Sequence, residues 1–395
     1  MRPPVPADEN DPTTSAFTPS ALHGRLVHGT CGWASKSQVL SVYTKEDASS
    51  GEKRLPVYSE RFGCVEVDST TYAIPSSEVV RRWVEKTPEG FVFLVKAFGG
   101  LCAPSVDARQ LPADVRALAR PNPSGRVHFA TLPERAKDAL WERFNACLAP
   151  MAEAGKLGCV VFQFHLSQGV SDALRAHILE CQRRLNGAKM AVEFRNRDWI
   201  TGERGDDTAR WCREHDLLLV AADELEHETF QRDREQSGLP PGAVRRRMPT
   251  RLERTVDWGA LIRVHRRHGT TERVLDADDI NFWASLLNSG TFERPALGPV
   301  WVAWGTEWLD APLTNAAALD KAAGESWTYD WFGTRALRAK PKPPPRPSAI
   351  AALFAAAKPR ERADDTRPSP ASTPSAKSTS PLLACWARAD ARSTD

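Results

Sequence analysis

The chain has 395 residues, with 53 Lys and Arg against 50 Asp and Glu and a net charge of +3. That near balance excludes a global field that would call for nucleic acid or an anionic membrane, and 41% hydrophobic residues is a globular proportion. The length suits one large barrel or two ordinary domains, and no apolar run approaches the ~20 residues of a membrane-spanning helix.

Along the chain, residues 1–24 are polar and aperiodic and are expected to form a disordered leader. The opening MRPPVPADENDPTTS carries Asp8, Glu9 and Asp11 and has no apolar core, so it reads as neither a secretory signal nor a transit peptide. The folded part is expected over 25–337. From 338 the composition changes to a Pro/Ala/Ser-rich tail, with ten prolines between Pro341 and Pro381, which cannot bury a core and is expected to be disordered over 338–395. The eight cysteines show no CxxC pair, which argues against a zinc site or a disulfide framework. Thiols scattered through apolar runs suit a reducing compartment, so the expected location is the cytoplasm, with the nucleus as alternative.

Within the folded part, short runs rich in Val, Phe and Leu recur. They are LVHGTCGW (26–33), FGCVEVDST (62–70), FVFLVKA (91–97), LGCVVFQF (157–164), KMAVEFR (189–195), LLLVAAD (217–223), ALIRVHR (260–266) and PVWVAWG (299–305). Helical patterns lie between most of them. SSEVVRRWVEK opens on Ser76 and carries a stripe of Val79, Val80, Trp83 and Val84 before Pro88 ends it. ERAKDALWERFNACLAPMAEAG stops at Gly155, and SDALRAHILECQRRLNG runs from a Ser cap to Asn186-Gly187. DADDINFWASLLNSG follows the seventh run, and TNAAALDKAAG the eighth. Near-continuous apolar strands alternating with helices mean parallel strands covered on both faces, and eight such units fit a closed (β/α)8 TIM barrel, an α/β fold. The runner-up is a doubly wound open sheet. Its first turn should offer GxGxxG, whereas Gly29-Thr30-Cys31-Gly32-Trp33 has the wrong spacing and a Trp in the way.

Strand-end polarity locates the expected site. Side chains alternate along a strand, so Glu66 and Asp68 in GCVEVDST would share one face. In a barrel that face is the lumen, and polar groups at the C-terminal strand ends line the mouth. Six of the eight runs close on such groups: Glu66 and Asp68, Lys96, Gln163, Glu193 and Arg195, Asp223, and Arg263 and His265. Buried charges must satisfy one another or a ligand. Two readings stay open, a lumen salt-bridge lattice and a ligand site. In the second, Arg195, Arg263 and Lys96 hold a phosphate or carboxylate, with His265 as acid or base and Glu66 and Glu193 orienting or assisting. The chemistry permitted is of hydrolase or isomerase type. No cofactor is implied. A divalent metal on the carboxylates and His265 is the less favoured alternative, because neighbouring guanidinium groups repel a cation. No Cys-His or Ser-His-Asp signature stands out, and Cys31 and Cys64 read as small core residues. Trp33, Tyr72, Phe164, Trp199 and Trp304 flank the cluster and could floor a pocket or simply pack.

Taken together, GTCGW, YSERFGCVEVDSTTYAIP, WVEKTPEGFVFLVKA, LGCVVFQF, AVEFRNRDW and ALIRVHRRHG resemble, in this order, the YecE-like family, domain of unknown function 72. The resemblance implies a TIM barrel over about 27–320 and recurrent polar positions at Glu66, Lys96, Gln163, Glu193, Arg195, Arg263 and His265, with Trp33, Tyr72 and Trp199 beside them. It supplies no reaction. It also implies an aromatic and two asparagines after the eighth strand, where this chain has Trp304-Gly305-Thr306. The expected function is an enzyme acting on a small anionic, phosphorylated or sugar-like metabolite. The alternatives are a nucleic-acid-processing or DNA-associated protein and a non-catalytic ligand-binding barrel. The DNA reading draws on the basic loop 237–255. It also draws on a tail segment, 348–357, where Ile350, Leu353 and Phe354 have the spacing of a helix docking in a groove, such as that of a sliding clamp.

Overall fold

The eight apolar runs form eight strands of one parallel sheet. The computed structural model describes residues 25–35, 38–39, 42–44, 46–223, 248–265, 274–289, 298–305 and 310–327, all within a compact unit spanning 1–226 and 245–340. The expected leader, the tail with Ile350, Leu353 and Phe354, and residues 237–247 of the basic loop lie outside the described residues.

The strands are β1 (Leu26–Thr30), β2 (Cys64–Val67), β3 (Val92–Lys96), β4 (Leu157–Phe164), β5 (Met190–Phe194), β6 (Leu218–Leu219 with Ala221–Asp223), β7 (Ala260–Val264) and β8 (Val300–Trp304). Each pairs in parallel with its sequence neighbour, and β1 pairs with β8 from Leu26↔Val300 to Thr30↔Trp304. The ring closes through β6. Its first segment pairs with β5, its second with β7, and the Val220 N–H between them donates to the Val192 carbonyl at 3.0 Å. The sheet is therefore a (β/α)8 barrel whose ring is closed through the two segments of β6.

The helices follow from local signals. After β1 and β2 come α1 (Gly51–Ser59) and α2 (Ser77–Glu85). After β3 and β4 come α3 (Glu134–Glu153) and α4 (Asp172–Arg184). Beyond β5 lies α5 (Gly202–Glu214), and β7 and β8 are followed by α6 (Ala277–Leu287) and α7 (Ala311–Ala323). Ser76 and Ser171 cap α2 and α4 by accepting from the N–H groups of Val79 and Leu174. The expected stops behave as such: Gly155 and Gly187 have φ of 64° and 88°, and Asn186 has 50°, values that permit the chain to leave a helix. A short antiparallel ribbon, Ser105–Asp107 with Arg126–His128, is inserted between β3 and α3.

Two faces of the sheet carry two kinds of core. Val65, Phe93, Val95, Phe162 and Val192 face outward against the helices. Val27, Cys64, Val92, Leu94, Val161, Ala191, Leu261 and Trp301 fill the lumen. The Trp301 ring is accommodated at the floor because Gly158 and Gly259 face it; a Cβ at Gly259 would stand 2.6 Å from the ring. With the floor plugged by apolar side chains, only the C-terminal strand ends are left for polar ones.

Candidate functional site

Period-two alternation carries the lumen face upward. Two residues beyond Cys64 on β2 stands Glu66, and two beyond Leu94 on β3 stands Lys96. Gln163 on β4, Glu193 on β5 and Arg263 on β7 bear the same relation to Val161, Ala191 and Leu261. In the strand register Gln163 stands opposite Glu193, whereas Glu66 stands opposite Leu94 and Lys96 opposite Val161, so the polar groups step along the tilted strands.

Arg263 is the centre of this layer. It is 2% exposed and its guanidinium grips Glu66 through two hydrogen bonds, Nε to Oε2 and Nη2 to Oε1, both 2.7 Å. Its Nη1 donates to Glu193 Oε2. The other Glu193 oxygen lies 2.5 Å from Nε of Arg195, an ion contact whose angle is not that of a hydrogen bond. Lys96 Nζ donates to Gln163 Oε1 at 2.6 Å and lies 3.0 Å from Asp68 Oδ1. Three carboxylates thus meet three cations, and Glu66 and Glu193 are fully buried. Burial works to raise the Glu193 carboxyl, but Arg195, Arg263 and Lys96 more than reverse this and hold it at about 2. Burial also works against the charge on Lys96 and Arg263. Asp68 together with Glu66 and Glu193 outweighs it for Lys96, and Glu193 with Glu66 outweighs it for Arg263, so both cations stay protonated at all ordinary pH.

His265 completes the mouth from the end of β7. Its N–H donates to the Asp223 carbonyl at 2.9 Å, which seats the buried Asp223 beside it. Its Nε2 lies 3.7 Å from Cys31 Sγ, and a Cβ built at Gly305 would clash with its imidazole at Nδ1.

The structure brings Glu66, Asp68, Lys96, Gln163, Glu193, Arg195 and Arg263 into one lattice, with His265 and Asp223 at its side. Asp68 differs from the expectation in one respect. β2 ends at Val67, so Asp68 opens a 3-10 turn (Asp68–Thr71) instead of sharing a strand face with Glu66, and its side chain remains 40% exposed. Trp33 and Trp199 are placed in packing rather than in the lumen. The Trp33 indole N–H donates to the Gly51 carbonyl, and its ring meets Trp83 edge-on at 5.2 Å. Trp199 lies flat on Phe194 at 4.2 Å and donates to the Gln168 carbonyl. Phe164 belongs to that same outer core, and Trp304 donates to Nδ1 of His28. Tyr72 is 39% exposed. Cys31 is the residue that sequence reasoning passed over. Its neighbours in GTCGW look apolar, and only the closure of β1 against β8 and β7 reveals its contact with His265.

Among the described residues, no group of three or more His, Cys, Asp and Glu is arranged to hold a metal ion. Nor is any described helix long and apolar enough to cross a membrane. Of the basic loop, the described part engages its arginines with carboxylates: Arg251 with Asp206 and Glu253, and Arg254 with Asp257.

A parallel α/β barrel with a plugged floor and an ionic lattice at the C-terminal strand ends defines a TIM-barrel protein, the mouth being its candidate site. The family described as Protein of unknown function DUF72 matches residues 27–338, and the chain belongs to that family. It is 26% identical over 240 residues to the UPF0759 protein YunF of Bacillus subtilis (strain 168), covering 61% of this chain and 70% of YunF. A shorter stretch of 46 residues is 46% identical to the UPF0759 protein YecE of Escherichia coli (strain K12), covering 12% of this chain and 17% of YecE. Crystal structures of two DUF72 family proteins share the fold. EF0366 from Enterococcus faecalis V583 superposes with a TM-score of 0.53 at 18% identity, over 76% of this chain and 98% of that one. TM1631 from Thermotoga maritima MSB8 gives 0.52 at 19% identity, over 75% and 98%.

Proposed function

We propose that the barrel is an enzyme acting on a small anionic substrate, phosphorylated or sugar-like, bound at the C-terminal mouth. The observation that supports this reading is the asymmetry of the lattice. Arg263 is committed to Glu66 and Glu193 in the dry interior, whereas Lys96 and Arg195 reach the rim. The Lys96 side chain, itself 11% exposed, is balanced there by Asp68, whose side chain is 40% exposed and is the most solvated carboxylate of the lattice. An incoming phosphate or carboxylate displaces that solvated partner and gains Lys96 as a point charge and Arg195 as a fork. Arg263 then serves to position Glu66 and Glu193, and His265, beside the bound anion, takes or delivers a proton.

The test is a thermal-shift screen of phosphate esters, sugar phosphates and small carboxylates, repeated on Arg195→Ala and His265→Ala. A ligand that stabilises the wild type and loses its effect in Arg195→Ala is the expected result. No stabilisation by any anion, or stabilisation indifferent to both substitutions, would sink the proposal. Gly305, standing where the family resemblance leads one to expect an amide side chain, supports a second reading as a non-catalytic ligand-binding barrel. Tight binding of the hit without turnover distinguishes it.

A further inference from the structure

One nucleophilic side chain at the rim has no part in the reading above, and it lies against His265. Cys31 follows β1 directly; the residue is partly buried against the lumen core, and its sulfur lies 3.7 Å from Nε2 of His265. Arg263 is within electrostatic reach of that sulfur. The position of Cys31 is held from beneath: the Thr30 N–H donates to the Tyr58 hydroxyl at 2.8 Å, and that hydroxyl donates to the Cys64 carbonyl at 2.9 Å. The imidazole is held from the other side. Its backbone is bonded to Asp223, and its ring occupies space that only a glycine at 305 leaves open. Around the thiol the charged and titratable groups are therefore His265 and Arg263 on β7, with Glu66 on β2 and Glu193 on β5 behind them. The other described cysteines, Cys64, Cys102, Cys147, Cys159, Cys181 and Cys212, are all buried, and burial pushes their thiols up. They are inert by comparison.

We propose that Cys31 is a nucleophile of the mouth, with His265 as its proton acceptor, and that its partner is the carbonyl carbon of a small anionic substrate such as an α-oxo acid. This rests on the reading of the rim as an anion site, because Lys96 and Arg195 bring the carboxylate alongside. In the step, a sulfur lone pair forms the C–S bond while the C=O π pair moves onto oxygen. The thiol proton passes to Nε2 of His265 and then to that oxygen. The product is a hemithioacetal or hemithioketal; nothing is oxidised and no leaving group is required.

Alkylation tests this in the full chain carrying Cys385→Ser, with peptide mapping at Cys31. Neutral iodoacetamide at pH 7 is expected to label Cys31 about tenfold faster in the native protein than in the urea-denatured chain, the gain expected of an activated thiolate. A native rate equal to or below the denatured one overturns the inference, and this arm needs no further variant. His265→Gln is expected to bring the rate down to the denatured value; a rate that stays high removes His265 from the role and overturns the pair. Glyoxylate, an anionic aldehyde, is expected to slow the labelling far more than acetate at equal concentration. Equal slowing by both means that an anion sits in the mouth without a covalent bond, which overturns the inference and leaves the proposed function standing. No slowing by either counts against both.

Discussion

Arg263 shows why a residue in this lattice cannot be judged by charge alone. Its guanidinium bonds to both Glu66 and Glu193, and its removal would strand them. Arg263→Ala is expected to cost about 3–5 kcal/mol, read as a lower urea midpoint with the m-value kept. At the rim the opposite holds. Asp68 competes with an incoming anion for Lys96, so Asp68→Asn is expected to tighten anion binding about fivefold or more, above the ~0–1 kcal/mol of a fully exposed pair because Lys96 is buried, in a titration with the best ligand of the thermal-shift screen. Weaker binding in Asp68→Asn would show that Asp68 holds the substrate instead. Glu193 gives the site its pH dependence. Its folded value of about 2 lies below the ordinary 4.5, so the folded protein binds this proton less readily than the unfolded chain. The stability it contributes is complete above about 4.5 and is lost as pH falls towards 2. Urea denaturation across that window is expected to show a flatter pH dependence for Glu193→Gln than for wild type. The polar members of this layer were legible because each ends an apolar run with a charged or amide group. Cys31 was not, since a thiol among apolar neighbours is the common signature of a core residue, and its partner lies 234 positions away.

At the scale of the element, start and stop signals explain which helices could be read. α2 and α4 open on serine caps and α4 closes on Asn186-Gly187, so their bounds are local properties. Ser171→Ala is expected to cost about 1 kcal/mol, with Ser171→Asp close to neutral, measured by thermal melting. α1 and α5 carry weaker signals. α1 starts at Gly51 and holds Pro56 within it, and α5 starts at Gly202 with φ 55°; both contradict helix propensity and are helical because they pack against the barrel. α7 begins at Ala311, three residues before the Ala-rich pattern suggests, because Pro312 fits the first turn where its missing N–H costs nothing. The aromatics went the other way. Trp33 and Trp199 are near the strand ends in sequence, but each finds an acceptor for its indole N–H and a ring partner in the shell between strands and helices, which settles where so much apolar area goes.

For the whole molecule, closure is the decisive event, and it passes through one short strand. Val220 bonds β6 to β5 while its neighbours on the C-terminal side pair with β7. Val220→Pro deletes that donor and is expected to cost about 3 kcal/mol or more, with loss of near-ultraviolet circular dichroism at temperatures where the wild type stays folded. If the variant melts like wild type, β6 is not the seam described here. The amino-acid sequence by itself determined the number of strands, their parallel sense and the face on which polar residues gather, because apolar run length, helix alternation and period-two spacing are short-range properties of the chain. Only the tertiary structure decided which charge meets which. Arg263 with Glu66 and Glu193, and His265 with Cys31, are joined across β-strands far apart in sequence, and such pairings depend on the register and closure of the ring, which no local pattern encodes.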